Sequence, residues 1–171
     1  YCSKLTGKDP VMLKEIFFND GAYTSYELGE ISEERFRKHF SKKINFNISR
    51  ADFVDGFNSM IVGLTPGIES VLEQVKGKCF LSTLSNTNKT HENFLFRNYS
   101  KILTYFDRLF FSHRIKSRKP ELETFKIVLE YFKVEPDKCL FFDDQDQNID
   151  AANKLGINSF LVNSPSVEEL E

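Results

Sequence analysis

The pattern of apolar and polar positions changes character at Leu64. Before it, from Asp9 to Val62, helical spacings dominate and no segment alternates as a strand does. Asp9-Pro10 supplies an N-cap with proline at the first helical position, and Val11, Met12, Ile16 and Phe17 form the apolar side of that helix. Asn19-Asp20-Gly21 interrupts it, and a short helix through Tyr23 and Leu28 stops at Gly29. Ser32 followed by Glu33-Glu34 caps a longer helix carrying Phe36 and Phe40, and Ser49 opens another with Phe53, Phe57 and Met60 on one side. Residues 9–62 are thus predicted to be a small all-helical module, too short to need a core of its own.

After Leu64 strands and helices alternate. Thr65-Pro66-Gly67 signals a helix start, and Ile68, Val71, Leu72 and Val75 recur at helical spacing until Gly77. Strands are predicted at Cys79–Leu84, Arg108–Phe111, Cys139–Phe142 and Ser159–Val162, with helices from Asn88, Pro120 and Asp146 between them. The run Cys139–Phe142 has no polar alternation, which suits a strand buried on both faces. Repeated strand-helix units imply an α/β fold: a doubly wound parallel-sheet core over residues 63–171, with right-handed crossovers and helices on both faces.

Composition narrows the function classes. With 23 basic and 25 acidic side chains in 171 residues, and a net charge of -2, the chain lacks the electrostatic footprint of a nucleic-acid or anionic-membrane binder. The apolar runs are too short to span a bilayer and no leader pattern opens the chain, so a cytoplasmic location is expected. Cys2, Cys79 and Cys139 have no framework spacing; the last two fall in predicted strands and read as reduced structural thiols. The chain opens on Tyr1 within a helical pattern, which suggests that residues precede it, and Leu170-Glu171 resembles an expression-vector tail.

In an open α/β sheet ligands bind beyond the carboxyl ends of the strands. The predicted ends carry Ser85-Asn86-Thr87, Ser112-His113 and Asp143-Asp144. Adjacent aspartates after a buried strand repel each other and are costly to desolvate, which favours a divalent cation between them. The plainer alternative is a turn and an N-cap for the helix near Gln145. Ser85-Asn86 offers a hydroxyl and backbone N–H groups for a phosphate, or else caps the helix that follows. Lys119 is held by Pro120 at a helix start, either as a neutralising ammonium or as a solvated surface lysine. His39, His91 and His113 have no ligand spacing and are expected at the surface or at helix ends.

Taken in order, Ser85-Asn86 after a strand, Lys119-Pro120, and Phe141-Phe142-Asp143-Asp144 before a helix resemble motifs two, three and four of the haloacid dehalogenase-like (HAD) superfamily. Thr65–Asn88, Phe106–Glu121, Phe141–Gly156 and the Tyr26–Ser32 stretch are similar to its helical-cap subfamily, in the branch of α-D-glucose-1-phosphate phosphatase-like enzymes. The resemblance implies a Mg2+-dependent phosphomonoesterase acting on a small phosphorylated metabolite, such as a sugar phosphate, through a phospho-aspartate. It implies that Ser85 and Asn86 bind phosphate, that Lys119 steadies nucleophile and phosphate, and that Asp144, with Asp143 beside it, holds Mg2+. Asn148 stands where many relatives have another acid and is a candidate supporting group, while Tyr23, Tyr26 and Glu27 are candidates to face the substrate. The family's motif one, an apolar strand ending in Asp-x-Asp, is absent from these residues, so the core lacks its first strand and a gap of roughly 10 Å is expected in the sheet. Two readings follow: a phosphatase whose nucleophile lies upstream of Tyr1, or a HAD-like fragment or binding module without catalysis.

Overall fold

The computed structural model describes residues Tyr1–Val162, so the Leu170-Glu171 tail lies outside them. In chain order the elements are α1 (Cys2–Thr6), α2 (Pro10–Phe18), α3 (Gly21–Glu27), α4 (Glu33–Lys43), α5 (Arg50–Asn58), α6 (Ile68–Val75), β1 (Ser82–Ser85), α7 (Lys89–Asn98), α8 (Ser100–Leu103), β2 (Arg108–Phe111), α9 (Ser112–Ile115), α10 (Leu122–Phe132), β3 (Leu140–Asp143), α11 (Asp146–Lys154) and β4 (Asn158–Leu161). They group into two compact units, one of Tyr1–Val62, Asn86–Ser100 and Phe111–Lys116, the other of Gly63–Ser85, Lys101–Phe110 and the chain from Ser117 onward.

In the first unit the helix starts are set by local side-chain caps. Asp9 accepts from the Met12 amide, Ser32 from Arg35 and Ser49 from Asp52, each filling one of the N–H groups a helix leaves unpaired. The expectation that this module lacks its own core is corrected here. Leu13, Tyr26, Phe36, Phe40, Ile44, Ile48, Phe53 and Phe57 form a buried cluster. Phenylalanine achieves this in few residues, because each ring buries a large apolar area and packs edge-to-face, as Phe17 does against Phe36 at 5.1 Å and Phe40 at 5.0 Å. The predicted apolar side of α2 is also off by part of a turn: Leu13 is buried, whereas Val11 and Met12 are exposed, as is Met60 after α5.

Three further contacts join α7 and α9 to the helical cap within this unit. Tyr26 Oη lies 2.5 Å from Thr90 Oγ1, His91 Nε2 lies 3.0 Å from the Phe57 carbonyl oxygen, and Ser112 Oγ lies 2.7 Å from the Glu27 carbonyl oxygen. Tyr26 is therefore a core residue rather than a surface one facing substrate, and Glu27 is buried beside it. His113, in the last turn of α9, and His91, in the first turn of α7, stand at helix ends as expected but not at the open surface: His113 is buried 2.5 Å from Glu92, and His91 packs on Phe57 with ring centroids 4.2 Å apart.

Glu92 itself is 2% exposed and receives His113, Arg114 and Lys89. Burial alone would raise its pKa, but the hydrogen bonds from Arg114, Lys89 and His113 outweigh it and hold the carboxyl down at about 2, below the ordinary carboxyl range. A carboxyl with a depressed folded pKa contributes stability that is present above its unfolded pKa and lost as pH falls toward the folded one. The melting temperature should therefore drop between about pH 4.5 and 2, and Glu92→Gln should flatten that part of the profile, as read by thermal denaturation across pH.

The second unit carries the strands. β3 and β4 pair in parallel, Leu140 opposite Asn158 through Asp143 opposite Leu161, and β1 pairs with β2, so the described strands form two separate two-stranded sheets. The core of this unit is Phe125, Ala151, Ala152 and Ile157, with Leu84, Leu129, Phe141 and Leu155 packed against it. Two strand expectations fail. The segment from Cys79 is irregular until Ser82, and Phe80 is 68% exposed. β3 is buried on one face alone. Phe141 packs edge-on against Phe125 at 5.2 Å and Asp143 points the same way, while Leu140 and Phe142 alternate to the other side and are 67% and 42% exposed. All three cysteines are free, and Cys79 is exposed outside any strand.

Candidate active site

The parallel pair β3–β4 delivers Asp143 to the carboxyl end of its strand, directly before the turn into α11. Its carboxylate is 9% exposed and fully engaged: Oδ2 accepts from Lys119 Nζ at 2.5 Å, and Oδ1 accepts from Asn148 Nδ2 at 2.7 Å and from the Gln145 amide at 3.0 Å. The bond to the amide two residues on is the turn role expected of an aspartate here. The bond to Lys119 is not, and it makes the pair a buried charge-assisted contact rather than a solvated one.

Lys119 reaches Asp143 from a turn that is pinned by Ser117, whose hydroxyl lies 2.6 Å from Thr124 Oγ1 with both residues buried. The ammonium also sits 5.4 Å from the Phe141 ring centre. A surface role for Lys119 is thereby excluded. The helix after it begins at Leu122, two residues later than the proline signal places it, and the Lys119-Pro120 peptide is cis.

Asp144 is different in kind. It is exposed, and among the described residues its carboxylate takes part in no ion pair or hydrogen bond. It does not cap α11, whose start at Gln145 has no side-chain cap. The two neighbouring acids are thus separated by environment: Asp143 is paired with one cation and bound by two neutral donors, and Asp144 is left with its oxygens open. Asn148, 7% exposed, contributes a donor where an acid would have added a third negative charge.

Ser85 ends β1, half-buried, with a hydroxyl that is unpartnered among the described residues. Asn86, the next residue, belongs to the first unit. Neither caps α7. That task falls to Asn88, whose Oδ1 accepts from the Thr90 and His91 amides, both at 3.1 Å. Capping therefore accounts for neither Ser85 nor Asp144. Among the described residues no group of three or more His, Cys, Asp or Glu could hold a metal ion, and no helix is long and apolar enough to cross a membrane. Sequence reasoning missed Glu92 and read Ser112 only as part of a polar strand end; Lys89 lies three residues from Glu92, but His113 and, for Ser112, the Glu27 carbonyl lie 21 and 85 residues away and leave no local trace.

Residues 21–162 fit the model of the haloacid dehalogenase-like hydrolase family, and the chain belongs to that family. It is 32% identical over 92 residues to a phosphorylated carbohydrates phosphatase of Thermotoga maritima, covering 54% of this chain and 43% of that protein. It is 25% identical over 160 residues to a D-ribitol-5-phosphate phosphatase of Bacteroides thetaiotaomicron, covering 84% and 72%. The crystal structure of a HAD family enzyme from the same bacterium, in complex with magnesium and inorganic phosphate, superposes with a TM-score of 0.79 at 29% identity, over 86% of this chain and 77% of that one. The fold is accordingly the α/β Rossmann-like HAD core with a small helical cap.

Proposed function

We propose that this chain belongs to a Mg2+-dependent phosphatase of small phosphorylated metabolites, with sugar phosphates the first class to test. The observation that carries the reading is the buried Lys119–Asp143 pair at a strand end, beside an open Asp144. Burying that pair is costly and offers the fold little in return, since an apolar pair of similar volume is often as stable or more so. An ammonium fixed at the rim has a clear use where phosphoryl charge must be neutralised.

The residues present suit the metal. Mg2+ is held by one or two carboxylates together with water and substrate phosphate, and an unengaged, exposed aspartate is a fitting donor. Asp144 is the ligand in this reading, with Asp143 beside it. When bound, the cation supplies positive charge against the phosphoryl oxygens. Lys119 orients the transferring group and balances its charge, Ser85 and Asn86 donate hydrogen bonds to it, and Asn148 keeps Asp143 turned toward Lys119. The attacking aspartate that such a reaction needs is not identified among these 171 residues. Support for the substrate class comes from the two phosphatase relatives, whose names give phosphorylated carbohydrates and D-ribitol 5-phosphate as what those proteins act on. The full-length protein should hydrolyse p-nitrophenyl phosphate and sugar phosphates with Mg2+ and stop on addition of EDTA. A full-length protein inert toward all of them in Mg2+ contradicts the proposal and leaves the non-catalytic module.

A further inference from the structure

The first unit contains a junction that the reaction scheme does not use. Ser112 is 1% exposed, and its hydroxyl accepts from the Thr87 amide at 2.9 Å while its proton serves the carbonyl oxygens of Glu27 at 2.7 Å and Thr87 at 2.8 Å. One side chain therefore ties the loop that follows Asn86 to the last residue of α3. One helical turn later, Lys116 Nζ donates to the Gly29 carbonyl oxygen at 2.7 Å.

Between these two anchors the backbones meet closely. Gly29 has φ +64, and a Cβ on it would lie 2.6 Å from the His113 carbonyl oxygen. Only glycine satisfies both demands without displacing α9. The turn itself is held from behind, since His113 and Arg114 are both bound to the buried Glu92. The short α9 is thus a two-point clamp with a fixed base, gripping residues 27–29 with its ends and Asn86–Thr87 with its first hydroxyl.

We propose that Ser112 and Lys116 are positioning residues that hold the Glu27–Gly29 turn of the helical cap and the Asn86–Thr87 loop in one register, so that a change at the turn is felt by the phosphate-binding loop. This rests on the phosphatase reading for what the loop binds, but the coupling itself is a property of the fold.

The test uses the full-length protein, with amide hydrogen exchange and calorimetric titration of inorganic phosphate in Mg2+. Lys116→Met changes an exposed side chain that touches the turn and not the loop. It should speed exchange at Thr87 as well as at Leu28 and Gly29, and weaken phosphate about 10-fold. Ser112→Ala should do the same from the other end, and Gly29→Ala should reproduce it from the cap. If Lys116→Met and Gly29→Ala loosen only residues 28–30 while Thr87 exchange and phosphate affinity stay as in the parent, the clamp does not couple the two and the inference fails. A parent protein that binds no phosphate would sink the phosphatase reading instead, and the exchange at Thr87 would still decide the coupling.

Discussion

Lys119→Met is expected to cost about 3–5 kcal/mol of folding stability, because it leaves the Asp143 carboxylate buried without its cation. Both side chains are nearly inaccessible, 10% and 6% exposed, so solvent cannot replace the lost partner. Asn148 and the Gln145 amide still reach Oδ1, but Oδ2 loses the Lys119 bond. The loss should be far from additive: adding Asp143→Asn to Lys119→Met removes the stranded charge and should restore part of the stability. Urea denaturation of the single and double variants measures this directly. A Lys119→Met variant within about 0.5 kcal/mol of the parent would show that the pair is not closed in solution.

The second large effect separates the two aspartates. Asp144→Asn should leave stability within about 0.5 kcal/mol of the parent, since the side chain is exposed and engages nothing among the described residues. Turnover of phosphomonoesters in Mg2+ should nonetheless fall by about 100-fold or more, the scale seen when one charge-stabilising group is removed from a reacting centre. Asp143→Asn should behave oppositely in stability, because it replaces the carboxylate of the buried Lys119–Asp143 pair by a neutral amide. Denaturation and steady-state kinetics on the two variants, side by side, distinguish a metal contact from an anchor. Equal stability losses for both would refute this division.

The parts of this architecture that were legible in the sequence are those written in local chemistry. Asp9, Ser32 and Ser49 cap the helices they precede, and β2 spans Arg108–Phe111 as the apolar pattern indicates. Ser85, Lys119 and the aspartate pair stand out because their order resembles a family's motifs. What could not be read depends on partners distant in sequence. A four-residue apolar run cannot tell whether one or both faces of its strand are covered, and β3 has only β4 beside it among the described strands. The difference between Asp143 and Asp144 is invisible in the letters, because it comes from Lys119 arriving 24 residues away. Likewise nothing around Ser112 announces a hydroxyl bound to a carbonyl 85 residues back.

Calorimetric titration of inorganic phosphate into the full-length protein, with and without Mg2+, bears most directly on the claim that Asp144 and Lys119 serve one phosphate-and-metal site. Saturable binding that requires Mg2+ and disappears in Asp144→Asn is the predicted result. Binding of equal strength without the metal, or unchanged in Asp144→Asn, would contradict it.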